Sequence, residues 1–416
     1  MLSMIPQLDA MPSARWRLFL VAAVLSLISG DAAFAAERHR AAPSFGTHFC
    51  DFGSDVAGVT VPSEFCIRKF ADVPTPRALL FAPNGDLFVS SPERITPGGA
   101  PAGAAAIFLF RQTDPAKPPA RFAFAQGPAF FSVHGILIAN DSFYYTVDEG
   151  VYRVPFTVGA TQIDPGSPRQ VASFATAYEN LARFAHSLAV GTDGSIYVSR
   201  GQYDNSTCPS PDARLGAVLR IGDGHGLLGD IVTAGLRDPL YIRCMPWGAC
   251  YAAELSGDTW EEAGGTEKLI ELRDGESFGY PCCISRGLPN PDLPKSTDCS
   301  TVATPSRTFP LHHTPFGFDW ERSGGWPEPY RNGFFVGLHG RFGSWLNTGL
   351  QWAPTDPQTH IPTRPPADFA LGFGRDGAIS RVADVVFAPD GRLFFSDDQG
   401  GAIYWIAPRT LSRPKR

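Results

Sequence analysis

Stretches in which apolar residues recur every three to four positions are hard to find in this 416-residue chain, so helices are not its main building block. Charge is sparse too. Asp, Glu, Lys and Arg make up 18% of the residues, the net charge is −6, and no long block carries one sign. That pattern excludes nucleic acid and an anionic membrane as main partners. Beyond the first 35 residues no apolar run approaches the roughly 20 that a spanning helix needs, so no integral membrane segment is expected in the mature chain. A Cys-x-x-Cys-His haem attachment sequence is also missing, so electrons handled by this chain must leave through a separate carrier.

What is present is a chain that turns often. Gly (43) and Pro (38) are both frequent, and 31 Phe residues suit sheets packed face to face. The N-terminus reads as a targeting segment, with Arg15 and Arg17 before an apolar run from Leu18 to Ile28 and the small-residue signal Ala33-Phe34-Ala35. The expected organisation is a signal peptide over 1–35, a lead-in over 36–65, a propeller over 66–409 and a basic tail over 410–416. The expected location is periplasmic or secreted. In such a compartment eight cysteines read as disulfides rather than metal thiolates. Cys244 and Cys250 flank a turn that can bring two antiparallel strands into bridging distance. Cys50 is paired with Cys66, and Cys282 or Cys283 with Cys299, leaving Cys208 for the remaining thiol.

The informative feature is a repeat. Ala82-Pro83-Asn84-Gly85-Asp86-Leu87-Phe88-Val89 returns as Gly191-Thr192-Asp193-Gly194-Ser195-Ile196-Tyr197-Val198, and again as Ala388-Pro389-Asp390-Gly391-Arg392-Leu393-Phe394-Phe395. Each reads as a strand, a tight turn and a second strand. Weaker copies surround Asn140-Asp141, Trp247-Gly248 and Asn332-Gly333. Most intervals are about 55 residues, the length of a four-stranded propeller blade with its loops. Six copies predict an all-β, six-bladed β-propeller of four-stranded antiparallel blades. One interval is near 85 residues, which places a disulfide-bearing loop insertion over 256–308, in the fourth or fifth blade.

Propeller ligands sit over the central channel, so the candidates are polar residues just before each repeat's inner strand. Arg77, His134, His186, Arg237, His312 or His313, and Arg381 all occupy such positions. Singly, a histidine there is an ordinary structural residue and an arginine an ordinary solvated one. Their recurrence in register suits a small ligand with several carboxylates.

These segments resemble a known family, the quinoprotein glucose, aldose and sorbosone dehydrogenases, from about Cys66 to Ile406. The resemblance rests on Arg77-Ala78-Leu79-Leu80, His134-Gly135, His186-Ser187-Leu188-Ala189-Val190 and Ala234-Gly235-Leu236-Arg237-Asp238-Pro239. It continues through Phe278-Gly279-Tyr280-Pro281-Cys282, His313-Thr314-Pro315-Phe316-Gly317, Val336-Gly337-Leu338-His339-Gly340, Arg381-Val382-Ala383-Asp384-Val385 and Ser396-Asp397-Asp398. It implies oxidation of an aldose-type sugar with hydride transfer to pyrroloquinoline quinone (PQQ), and a separate acceptor, a quinone or a cytochrome. It further implies His186 as general base, Arg237 beside the reacting quinone oxygens, and Arg77, His134, Asp238, His339, Arg341 and Arg381 around the cofactor. Ca²⁺ is implied as well, with Asp258, Glu261 and Glu262 as the acidic side chains of the insertion that could help hold it.

Two departures stand out. Asp238 replaces the family's asparagine, and an ionised carboxylate there repels a reduced cofactor where an amide donates a hydrogen bond. Gly340-Arg341-Phe342-Gly343-Ser344-Trp345 carries residues absent from the usual His-Gly-Ser-Trp. The departures keep a second reading open, a non-catalytic binding propeller. A calcium-dependent lactonase is a third, opposed by the shortage of carboxylates at the pre-strand positions.

Overall fold

The computed structural model describes residues 49–51, 53–94, 101–164, 168–203, 207–293, 297–341, 344, 346–374 and 376–409. The expected signal peptide and basic tail lie outside them. In every blade the turn motif joins the innermost strand to the second. Blade one is built from Leu79–Phe81, Leu87–Ser91, Ala106–Arg111 and Ala120–Gln126, and blade two from Ile136–Ala139, Ser142–Val147, Gly150–Pro155 and Arg169–Ser173. Blade three uses Leu188–Val190, Ile196–Gln202, Ala217–Ile221 and Asp230–Ala234; blade four uses Asp238–Cys244, Cys250–Leu255, Thr266–Glu271 and Arg307–Pro310. Blade five comprises Pro315–Trp320, Gly333–Leu338, Gly349–Pro354 and Ala367–Ala370. Blade six runs Val382–Phe387, Leu393–Asp397 and Ala402–Pro408, and takes its outer strand from the chain's start, Phe65–Asp72, antiparallel to Ala402–Pro408. The described residues contain no α-helix.

Second strands such as Leu87–Ser91 and Gly333–Leu338 are buried on both faces, which is why their sequences are nearly continuous apolar runs instead of alternating ones. Phenylalanines fill the wedges between blades. Phe88 of blade one meets Phe143 of blade two at 5.2 Å between ring centres, and Phe65, Trp326, Phe335 and Phe369 form a second such group beside the closing strand.

All eight cysteines pair, as Cys50–Cys66, Cys208–Cys282, Cys244–Cys250 and Cys283–Cys299. The long interval belongs to blade four, but not all of 256–308 is loop. Thr266–Glu271 is that blade's third strand, pairing with Cys250–Leu255 and Arg307–Pro310. Its burial hides behind charge, because Glu267 and Lys268 are both buried in it. A cavity of about 160 Å³ lies on the axis, lined in part by Ser187, Tyr241, Arg243, Arg322 and Asp384. Arg243 spans it, donating to the Phe318 carbonyl at 2.7 Å and to Asp384 at 3.0 Å.

Candidate functional site

The innermost strands all run the same way along the axis, so the residues that precede them gather at one end of the channel. What fixes them is a polar side chain on the adjoining second strand. Ser90 Oγ accepts the Ala78 N–H (3.0 Å), Thr146 Oγ1 the Gly135 N–H (2.8 Å) and Ser199 Oγ the Ser187 N–H (2.9 Å). In blade four Glu254 accepts the N–H groups of Arg237 (2.8 Å) and Asp238 (3.2 Å); in blade six Asp397 accepts those of Ser380 (2.7 Å) and Arg381 (3.0 Å). Each lead-in is thereby pinned by its own blade, a condition for holding side chains rigidly over the axis. Blades two and three also touch directly. Gly135 donates to the His186 carbonyl at 2.9 Å, and a Cβ at Gly135 would stand 2.4 Å from that oxygen, so only glycine fits.

Asp398 is the hub of the larger cluster. Its carboxylate, fully buried, meets Arg77 Nη1 at 2.8 Å and His339 Nε2 at 3.1 Å. Burial alone would raise its pKa, but Arg77, then His339 and Arg381, outweigh that and hold it down to about 2. His339 stacks flat on Phe316 at 4.1 Å, and Arg381 Nη2 donates to the Arg341 carbonyl at 2.5 Å. Arg77 and Arg381 bring two guanidinium groups to this end of the channel, with the carboxylates of Asp398 and Asp397 beside them. Arg341 joins through its carbonyl only. Its side chain is exposed, and the neighbouring 342, 343 and 345 lie outside the described residues.

Beside this cluster His134 is buried, with its ring 5.2 Å from that of Tyr241. Neither of its nitrogens has a hydrogen-bond partner among the described residues; the His186 carbonyl acts on it electrostatically but lies outside hydrogen-bond geometry. Burial, and then Arg77, push its pKa down to about 3, so the ring is neutral. His186 is equally buried. Its Nδ1 lies 3.0 Å from the Ser199 carbonyl, an oxygen that can only accept, so Nδ1 carries the proton and Nε2 the lone pair. Burial and then the Arg200 charge hold its pKa down to about 3. The Phe174 ring, 4.1 Å away, fixes its tilt, and Arg200 donates to the Phe174 carbonyl at 2.8 Å.

The blade-four wall is organised differently. Arg237 donates to the Ser256 carbonyl (2.8 Å) and to Asp258 (2.5 Å), while its Nε has no partner among the described residues. Asp258, followed by other carboxyl and phenol groups, raises its pKa against the opposing effect of burial. Asp238 turns away towards Arg183, at 2.9 Å. The three acidic residues expected around calcium do not converge. Asp258 is taken up by Arg237, Glu261 faces His312 at 3.5 Å, and Glu262 is exposed. Among the described residues no group of three or more His, Cys, Asp or Glu side chains could hold a metal ion. The cause is local: Arg237 sits where it attracts Asp258 inward. For blade five, His313 Nδ1 is buried without a partner among the described residues, whereas His312 faces the insertion.

No family model matches the chain. Among curated proteins, an uncharacterised protein of Borreliella burgdorferi is 27% identical over 135 residues, 32% of this chain and 36% of that one. The chain thus matches only about a third of that relative's length. Solved structures are more telling. A Trichoderma reesei protein of Carbohydrate-Active Enzymes Family AA12 superposes with a TM-score of 0.68 at 16% identity, over 86% of this chain and 99% of the other. The holo form of the pyranose dehydrogenase PQQ domain from Coprinopsis cinerea gives 0.65 at 15% identity (84% and 96%), and PQQ-bound aldose sugar dehydrogenase from Streptomyces coelicolor 0.55 at 16% (83% and 99%). The fold is that of the quinoprotein sugar dehydrogenases. On that fold, His134, His186, Arg77 and Arg381 lie at one end of the ring.

Three members of the site escaped the sequence reading. Asp398 stood inside a quoted motif, Ser396-Asp397-Asp398, yet only the fold shows it between Arg77 and His339. Tyr241, whose buried hydroxyl has no partner among the described residues, sits in an apolar strand and reads as core. Arg183 precedes His186 by three residues, and nothing in its surroundings announces Asp238.

Proposed function

We propose that the chain is an exported PQQ-dependent dehydrogenase that oxidises the anomeric or aldehyde carbon of an aldose-type sugar. The observation that carries this reading is the convergence of Arg77, Arg381, His134, His339 and His186 at one end of the ring, where neither nitrogen of the buried His134 has a partner among the described residues. A planar tricarboxylate fits that donor set, since guanidinium groups bind carboxylates in a fork and the neutral His134 offers one N–H. Bound PQQ supplies a two-electron acceptor at its quinone carbonyls. His186 then takes the sugar's hydroxyl proton on Nε2, its tautomer already set by the Ser199 carbonyl. Arg237 places positive charge where negative charge develops, Asp258 yielding its place; that carboxylate is 68% exposed and free to swing outward. His339 and Asp398 hold Arg77 in position.

Calcium has weaker support. A neighbouring fold carries it in its name, a calcium structure of the AA12 protein, but the acidic side chains here form no cluster, and no step is assigned to a metal. Export is supported by the four disulfides, and no helix among the described residues is long and apolar enough to cross a membrane. Asp258 closing over Arg237 favours one alternative, a propeller that binds ligand without turnover. The deciding experiment adds PQQ and Ca²⁺ to purified protein and follows dye reduction with a panel of aldoses. Cofactor-dependent turnover is expected. PQQ binding without turnover selects the binding module, and neither binding nor turnover removes the quinoprotein reading.

A further inference from the structure

Asp238 is 2% exposed, and Glu254 holds its backbone N–H and that of Arg237. Its Oδ2 accepts from Arg183 Nη1 at 2.9 Å. Its Oδ1 has no partner among the described residues and lies over Gly201, where a Cβ would come within 2.4 Å of it. Arg183 reaches it from the short strand Ala182–Arg183, which pairs with Gln202 and Gly201, and packs its guanidinium on Tyr203 at 4.2 Å. The glycine, the short strand and the glutamate together build a seat for one carboxylate and one guanidinium.

We infer that Arg183 and Asp238 form one charge-compensated unit standing in for a neutral amide, with Arg183 as the positioning residue that keeps the wall beside Arg237 compatible with an anionic ligand. This rests on the quinoprotein reading. A lone carboxylate here would repel a tricarboxylate, whereas the pair presents no net charge. Burial raises the Asp238 pKa, and Arg183 is foremost among the charges that lower it again, ahead of Arg237. Removing Arg183 therefore lifts it further, and the carboxyl becomes neutral as pH falls.

The test measures PQQ affinity of the full-length apoprotein by equilibrium dialysis at pH 8 and pH 5, for wild type, Arg183→Leu, Asp238→Asn and the double variant. Arg183→Leu is expected to weaken binding about 30-fold or more at pH 8, as when one partner of a buried charge pair is removed, and to recover much of it at pH 5. Asp238→Asn binds no more weakly than wild type. The double variant returns to within about threefold of wild type at both pH values. Arg237, Asp258 and Glu254, with Lys268 behind it, also act on Asp238 or its neighbour, but all are common to wild type and variant, whose difference isolates the carboxyl. Additive losses in the double variant, or a Leu variant that binds like wild type at pH 8, overturn the inference. If wild type binds no PQQ, the functional reading fails by itself. The pair is then judged by thermal midpoints of the unliganded proteins, where additive shifts would sink it. Arg183→Gln serves if the Leu variant does not fold.

Discussion

Replacing Asp398 with asparagine tests whether the cation cluster is held by charge. The carboxylate's pKa is about 2 in the folded protein against an ordinary 3.8, a gap of nearly two units and thus about 2.4 kcal/mol of stabilisation at 1.36 kcal/mol per unit. Breaking a buried ion pair outright costs about 3–5 kcal/mol. The amide keeps one acceptor towards Arg77 or His339, so a loss of about 2–3 kcal/mol is expected at neutral pH. At roughly 2–4 °C per kcal/mol for large domains, the thermal midpoint should drop by about 4–12 °C. Because the folded pKa is depressed, this stabilisation is complete above about pH 4 and disappears as pH falls through about 2. Circular dichroism melts of both proteins at pH 7, 5, 3 and 2 should show a gap that is constant over the first two and closes over the last two. Equal midpoints at pH 7, or a gap undiminished at pH 2, would refute the cluster's electrostatic account.

Two further outcomes follow from the same geometry. His186→Asn should lower kcat about 10²- to 10⁴-fold while PQQ binding changes by only a few-fold. In wild type the imidazole stays neutral down to about pH 3, so an acid limb near pH 6.5 that the variant abolishes would contradict the burial described here. Removing Cys208–Cys282, which closes a separation of 74 residues, should cost about 4.5 kcal/mol. Removing Cys244–Cys250, with a separation of 6, should cost about 2. Denaturant midpoints that rank the two the other way would contradict the chain-entropy account.

The ring was readable from sequence because its signal is local. Asn84-Gly85, Asp193-Gly194 and Asp390-Gly391 each specify a hairpin within a few residues, and their spacing counts the blades. Lead-in residues such as His134 and His186 were readable for the same reason, being placed by turn register. Their partners were not. Arg77 meets Asp398 across 321 positions of sequence, and the tautomer of His186 depends on a backbone oxygen, Ser199, which no side-chain pattern reports. Acidic residues are harder to read: Asp258, Glu261 and Glu262 look like an oxygen-rich cage on paper, whereas Asp258 meets the Arg237 guanidinium and Glu261 the His312 imidazole.

The closing strand has a consequence for how the protein is made. Phe65–Asp72 finds its hydrogen bonds on Ala402–Pro408, so among the described residues the first strand waits for the last. Until then both flanks of the nascent sheet array stay unlatched, and contacts so distant in sequence form slowly. A ring latched by strands so far apart in sequence closes only once both have been made, so the latch is the last contact of the circle to form.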